Sequence, residues 1–189
     1  LDAGVRKEKP DTVERLAKSL GVERLRKESG SSSRETRLRA ENYFKRNPEI
    51  LDQPLYPAWV IVGLQRTGTT KLHRLLAADP DHRVMPSWEN INPLPLSDTE
   101  DDPQDIRRRM KMADLSARSL KLISPGFYAI HPIEVNQPEE DILLLDVSFM
   151  STTAEAMMNV PAYASWLETV DQSPAYEYYV KMLKLLQWL

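Results

Sequence analysis

The sequence predicts an α/β fold: a phosphate-loop-like parallel sheet flanked by helices, with a small N-terminal helical cap. Three observations predict it. Ala58-Trp59-Val60-Ile61-Val62, just after Pro57, is a short apolar run rich in β-branched residues, the pattern of a buried strand. Gly63 and Gly68 then bracket a short loop, and residues 69–78 follow with Leu72, Leu75 and Leu76 on one helical face. His82-Arg83-Val84-Met85-Pro86 reads as a second short strand, parallel to the first through a right-handed crossover. Every other periodic stretch is helical, and the chain is expected to be mostly helical because it looks truncated.

Composition narrows the class. The 189 residues suffice for one ordinary domain with a real core. A net charge of −3 gives no sign of bulk nucleic-acid or membrane-surface binding. The absence of cysteine excludes disulfides, thiolate catalysis and cysteine metal sites. The longest apolar runs, 58–62 and 142–145, are too short to span a bilayer, and residues 1–30 are charged throughout, unlike a signal peptide. A cytoplasmic protein without an integral membrane segment is expected, acting on a small molecule and not on nucleic acid; its oligomeric state is not legible.

In chain order, residues 11–20 read as a helix: Asp11 and Glu14 form a capping box, Val13, Leu16, Ala17 and Leu20 share a face, and Gly21 ends it. Gly30–Ser33 is a short linker, and a second, arginine-rich helix runs over about 34–46 until Asn47-Pro48 stops it. Residues 1–56 thus form an N-terminal helical segment. After the strand, loop and helix of 58–78, Asp79-Pro80 breaks the chain, and the second strand delivers Ser87-Trp88-Glu89-Asn90 to the same sheet edge as the glycine loop. Residues 91–103 form an acidic, proline-rich loop. Pro103 opens a helix to about Leu122, with Ile106, Met110, Ala113, Ala117 and Leu120 as its apolar face. Residues 123–137 are expected to be irregular. Pro138 starts a helix with Glu139, Glu140 and Asp141 in its first turn, where the helix dipole favours acids. Pro161 and Ser173-Pro174 start two more, the last packing through Tyr176, Tyr179, Val180, Leu183 and Leu186.

The loop carries the chemistry. A nucleoside-triphosphate loop has Gly, four residues, Gly, then Lys and Ser/Thr. Gly63, Gly68 and Thr70 match that spacing, but Thr69 occupies the lysine position and the cation lies inside the loop at Arg66. Loss of the lysine ill suits a chain of phosphates with magnesium, whereas a smaller anion can be held by N–H donors, hydroxyls and a guanidinium.

Arg66-Thr67-Gly68-Thr69-Thr70 resembles the 5′-phosphosulfate loop of sulfotransferases that use 3′-phosphoadenosine 5′-phosphosulfate (PAPS). The longer series Gly63–Thr70, Leu72–Ala77, Asp79-Pro80, Ser87–Asn90 and Pro138–Asp141 is similar to a bacterial branch of that family, over roughly residues 40 to 189. The resemblance implies a PAPS-binding α/β domain over 57–189. It also implies that the sequence reaches only the middle of such a domain, so the chain is expected to be a fragment that lacks the 3′-phosphate-binding residues and binds nucleotide weakly.

Within that resemblance Gln65, Arg66, Thr67, Gly68, Thr69 and Thr70 hold the 5′-phosphosulfate, and Arg66 neutralises charge on the bridging oxygen. Glu89 is the candidate general base and His131 its rival, since imidazole has the better unperturbed pKa. The bland readings remain beside these: a surface arginine, a plain helix cap, a solvated carboxylate and an exposed histidine. No metal is expected, because a sulfonate carries less charge than a phosphate, and Glu139–Asp141 read as a helix start in preference to a metal cluster. Trp88, Phe127 and Tyr128 suit either an apolar acceptor pocket or the core. The acceptor itself is expected to be a hydroxyl of a small hydrophobic or lipid-like molecule. Two other functions stay open: a nucleotide-dependent kinase or hydrolase with a degenerate phosphate loop, and a non-catalytic helical interaction protein.

Overall fold

Asn47-Pro48 divides two helices that both lean on the C-terminal end of the chain. The structure, a computed structural model, describes residues 33–56, 59–64, 67–96 and 102–189. The helix expected at 11–20 lies outside the described residues. Helix α1 (Ser33–Arg46) places Glu35 in its first turn and Lys45 and Arg46 in its last, as the helix dipole favours. Its Ala40, Tyr43 and Phe44 are buried. Helix α2 (Glu49–Asp52) follows, with Ile50 fully buried.

These residues meet α10 (Ser173–Trp188) to make the core. Ala40, Tyr43, Phe44 and Ile50 pack with Tyr178, Met182, Leu185 and Leu186, and with Leu94, Leu144 and Val147 from the chain between. Phe44 meets Tyr178 edge-on at 6.4 Å between ring centroids. Polar ties fix the register: Gln53 Nε2 donates to the Lys184 carbonyl at 2.6 Å, and Lys184 Nζ donates to the Leu51 carbonyl at 2.6 Å.

The buried stripe of α10 is Ala175, Tyr178, Met182, Leu185 and Leu186; of the expected face Leu186 is buried and Tyr179 and Leu183 pack partly buried against the core. Tyr176 and Val180 are exposed instead. The helix carries apolar residues around most of its girth, so periodicity offers two stripes. The positions of Phe44 and Ile50 choose between them.

Helix α3 (Thr69–Leu76) follows the glycine loop and buries none of its residues. Helix α4 (Ser87–Ile91) is short, with Ser87 and Asn90 buried. It packs on α5 (Asp105–Ile123). The inward face of α5 is Asp105, Arg109, Ala113 and Ala117, an i, i+4 stripe, while the expected Ile106 is exposed. The correction has a polar cause: Arg109 Nε donates to the Asn92 carbonyl at 2.8 Å, its Nη1 lies 3.4 Å from Asp105, and its guanidinium stacks 4.7 Å from the centre of the Trp88 ring.

Helix α6 (Pro125–Ile130) occupies part of the stretch expected to be irregular. Pro138 starts no helix. It forms an isolated antiparallel bridge with Pro86, and α7 (Ile142–Asp146) begins four residues later with no acid in its first turn. Helices α8 (Thr153–Met157) and α9 (Pro161–Thr169) complete the chain before α10, the latter starting at Pro161 as its sequence predicts.

The expected sheet is the largest departure. Among the described residues there is no strand ladder, only the Pro86–Pro138 bridge. The described part of the apolar run, residues 59–62, is in no strand and open to solvent, with Trp59 77% and Val62 88% exposed. A strand is completed by neighbours on its edges and layers on its faces, and the described residues supply neither for 59–64. The second segment pairs with 135–140 instead: Ser87 N–H donates to Gln137 O at 2.9 Å, Trp88 N–H to Val135 O at 3.1 Å, and Glu139 N–H to Met85 O at 3.2 Å.

Candidate active site

The glycine loop closes on itself ahead of α3. Gly68 sits at the N-cap position with φ of 92°, in the left-handed region that a side chain disfavours. Thr67 Oγ1 donates to the Leu64 carbonyl at 2.6 Å. A Cβ added to Gly63 would stand 2.9 Å from Thr69 Cγ2 and 3.1 Å from Thr67 Oγ1, so any larger residue there would displace the two threonine side chains. The first-turn amides of a helix have no intrahelical partner. Here no side chain caps α3 and no acid lies in its first turn. Thr67, Gly68 and Thr70 are exposed and Thr69 half-buried, so donors and hydroxyls face solvent at the positive end of a helix dipole. These features fit an anion. Gln65 and Arg66 lie outside the described residues.

Glu89 stands on α4, which the buried Arg109 holds in place through Trp88 and the Asn92 carbonyl. Burial pushes the Arg109 guanidinium down from its usual range, against Asp105 and Glu89, whose negative charges raise it. The Glu89 carboxylate is itself engaged by Arg83 at 2.9 Å, and the same Arg83 nitrogen donates to the Leu186 carbonyl at 3.2 Å. Glu89 is thus moored to the end of α10.

His131 caps α6, its N–H donating to the Phe127 carbonyl at 2.9 Å. Its Nε2 lies 3.4 Å from Glu139 Oε1, and the Phe127 ring packs beside it with 6.0 Å between centroids. The hydrogen bond to Glu139 raises the imidazole pKa above 6.5, against a smaller opposing effect of burial. Burial works to raise the Glu139 carboxyl, but the bonds from His131 and the Glu140 amide outweigh it and hold Glu139 below 4.5. Arg74 of α3 pairs with Glu134 at 3.0 Å, joining the helix behind the loop to the segment that carries His131 and Glu139.

The structure therefore places Glu89 and His131, which are 42 residues apart in sequence, on two stretches of chain joined by backbone hydrogen bonds. Asn90 adds a side-chain bond from Nδ2 to the Glu140 carbonyl. Sequence reasoning passed over Arg74, Arg83, Arg109 and Glu139 as partners, because no local spacing links them to the residues they touch. Trp88 stacks on Arg109, and Tyr128 donates to the Ile133 carbonyl at 3.3 Å with Lys121 over its ring. Among the described residues no His, Asp and Glu cluster is arranged to hold a metal.

A family model described as "Sulfotransferase family" matches residues 57–186. The chain belongs to the sulfotransferase family. Two solved bacterial sulfotransferases share its fold. Sulfotransferase STF1 of Mycobacterium tuberculosis H37Rv superposes with a TM-score of 0.61 at 28% identity, over 94% of this chain and 52% of that one. Sulfotransferase STF9 of Mycobacterium avium gives 0.59 at 24% identity, over 98% of this chain and 56% of that one. No curated protein matches the chain significantly. This sulfotransferase-family chain spans about half the length of the solved structures it resembles, and over that span it shares their fold, with helices alone as regular elements among the described residues. None of its described helices is long and apolar enough to cross a membrane.

Proposed function

We propose that the chain carries the donor-loop part of a PAPS-dependent sulfotransferase that moves a sulfuryl group to an acceptor hydroxyl of a small, hydrophobic or lipid-like molecule. The observation that carries this reading is the loop. Gly63 packed closely against the Thr67 and Thr69 side chains, Gly68 in the left-handed region and an uncapped, acid-free helix start together make an anion cradle in a chain of this family. Residues 57–189 form the PAPS-binding part, and the reading places the protein in the cytoplasm.

In this reading Gln65, Arg66, Thr67, Gly68, Thr69 and Thr70 hold the 5′-phosphosulfate through loop amides, hydroxyls and the Arg66 guanidinium. Arg66 neutralises the charge that builds on the bridging oxygen as the sulfur–oxygen bond breaks. Sulfuryl transfer has little other work for the protein beyond positioning and removal of the acceptor proton. His131 is the general base we favour, because its partner raises its basicity while the ring stays half-open. Glu89 is the second reading; the engagement of its carboxylate by Arg83 gives it the role of anchoring α4 beside the site.

Calorimetry with adenosine 3′,5′-bisphosphate, beside ATP with magnesium, tests the proposal. Preference for the bisphosphate supports it. Preference for magnesium-ATP would overturn it in favour of a kinase or hydrolase. Replacing Arg66 with Ala is expected to slow sulfuryl transfer about a hundredfold, the usual effect of removing one transition-state donor, and near-normal turnover would refute the role given to it.

A further inference from the structure

We propose that Glu139 is the positioning residue for His131: its carboxylate fixes the imidazole with the proton on Nε2 and leaves Nδ1 as the basic nitrogen presented to the acceptor hydroxyl. This rests on, and deepens, the sulfotransferase reading. The geometry has the form of a base with a partner beneath it. Glu139 Oε1 stands 3.4 Å from His131 Nε2, with the Glu139 side chain 18% exposed and the imidazole 42% exposed.

Both groups are held by backbone. The amide of Glu139 donates to the Met85 carbonyl at 3.2 Å, and the Glu140 amide donates to Glu139 Oε1 at 3.0 Å, which leaves that carboxylate little freedom. His131 is set by the end of α6 and by the Phe127 ring. A carboxylate facing one ring nitrogen selects the tautomer that donates to it, so the second nitrogen carries the lone pair. It also stabilises the imidazolium formed when that nitrogen takes a proton.

The charged groups that bear on His131 are Glu139 and Glu140, which favour the protonated ring, and Arg74, which opposes it. Their balance favours protonation, as a base receiving a proton in the transition state requires. Glu89 lacks this arrangement, since its carboxylate faces Arg83 and its nearby charge is the Arg109 guanidinium. In the step itself Nδ1 takes the hydroxyl proton while the acceptor oxygen bonds to sulfur. The electron pair of the breaking sulfur–oxygen bond leaves on the 5′-phosphate. The products are a sulfate ester, adenosine 3′,5′-bisphosphate and the protonated His131.

The test is a histidine NMR titration of the full chain, with His131→Gln assigning the signal against His73 and His82. In the native chain His131 is expected to titrate above 6.5 and its neutral ring to carry the proton on Nε2. Glu139→Gln moves the titration down, whereas Glu139→Asp, which keeps the charge, retains most of the upward displacement. A neutral ring protonated on Nδ1 in the native chain, or a titration that Glu139→Gln leaves in place, would overturn the proposal. Where sulfuryl transfer is measured, Glu139→Gln lowers kcat about tenfold with the acceptor KM unchanged. An unchanged kcat would equally overturn it. Failure of the sulfotransferase reading shows separately, as preference for magnesium-ATP over adenosine 3′,5′-bisphosphate.

Discussion

The two apolar regions of this chain have opposite fates. Met182, Leu185 and Ile50 are fully buried between α1, α2 and α10, while Trp59, Val60, Val62 and Leu64 are each more than three-quarters exposed, and Leu72 and Leu75 of α3 are exposed beside them. Hydrophobicity does not separate the two groups. Helices satisfy their own backbone and need only a stripe of neighbours, so α1, α2 and α10 seal a core with only Leu94, Leu144 and Val147 added from the chain between. A buried strand needs partners at both edges and cover on both faces before its side chains leave water.

The largest expected effect lies in the polar wall of the helical region. Arg109→Ala leaves the buried Asp105 without its countercharge, with only the Leu96 amide donating to it, strips the Asn92 carbonyl of its donor and uncovers Trp88. A loss of about 3–5 kcal/mol in urea denaturation is expected, the cost of breaking a buried pair. A loss below about 1 kcal/mol would show that α4 and α5 hold together without it.

Met182→Ala and Val62→Ala put the comparison itself on trial. The first removes a fully buried side chain and should cost about 2–5 kcal/mol. The second trims a side chain 88% exposed and should cost less than about 0.5 kcal/mol. Equal costs would mean that the 59–64 segment is packed in solution, and the contrast between the regions would collapse.

Two smaller effects sharpen it. Gly68→Ala places a Cβ at φ of 92° and should destabilise by about 1–2 kcal/mol at most, while weakening anion binding by the loop. Phe149→Gly works in the opposite sense. Phe149 holds φ of 56° and is 58% exposed, its amide N–H donating a hydrogen bond to the Asp146 carbonyl at 2.9 Å. Glycine there should raise stability by at most about 1 kcal/mol, since relief of the strain is offset by loss of the covered part of a residue 58% exposed. Thermal denaturation reads both.

The smallest effect is a pH profile. The His131 pKa is raised on folding, so its contribution is complete below 6.5 and fades as pH rises through the folded value. The Glu139 pKa is lowered, so its contribution is present above 4.5 and fades as pH falls through the folded value. The pair therefore stabilises most between pH 4.5 and 6.5. The difference in melting temperature between the native chain and Glu139→Gln should peak in that window and shrink on either side.

The loop and the five longest described helices were legible in the sequence. Gly63, Gly68 and the threonines are legible because a phosphate-type loop is local: a fixed spacing between two glycines sets the turn, and a helix must follow it. The stops at Asn47-Pro48, the starts at Pro161 and Ser173, and family membership read from the motifs are local in the same sense. Only the tertiary structure decided which stripe of α10 is inside, that Arg109 takes the place of an apolar residue on the face of α5, and that Pro138 bridges Pro86 and starts no helix. It alone brought Glu139 to His131 and Arg83 to Glu89. Those choices depend on where distant segments lie, and a side chain on an amphipathic element or in a loop carries no record of the partner that will meet it. The exposed run at 59–64 is the clearest case, because its residues have the composition of a strand while their state is set by which neighbours are present to pair with them.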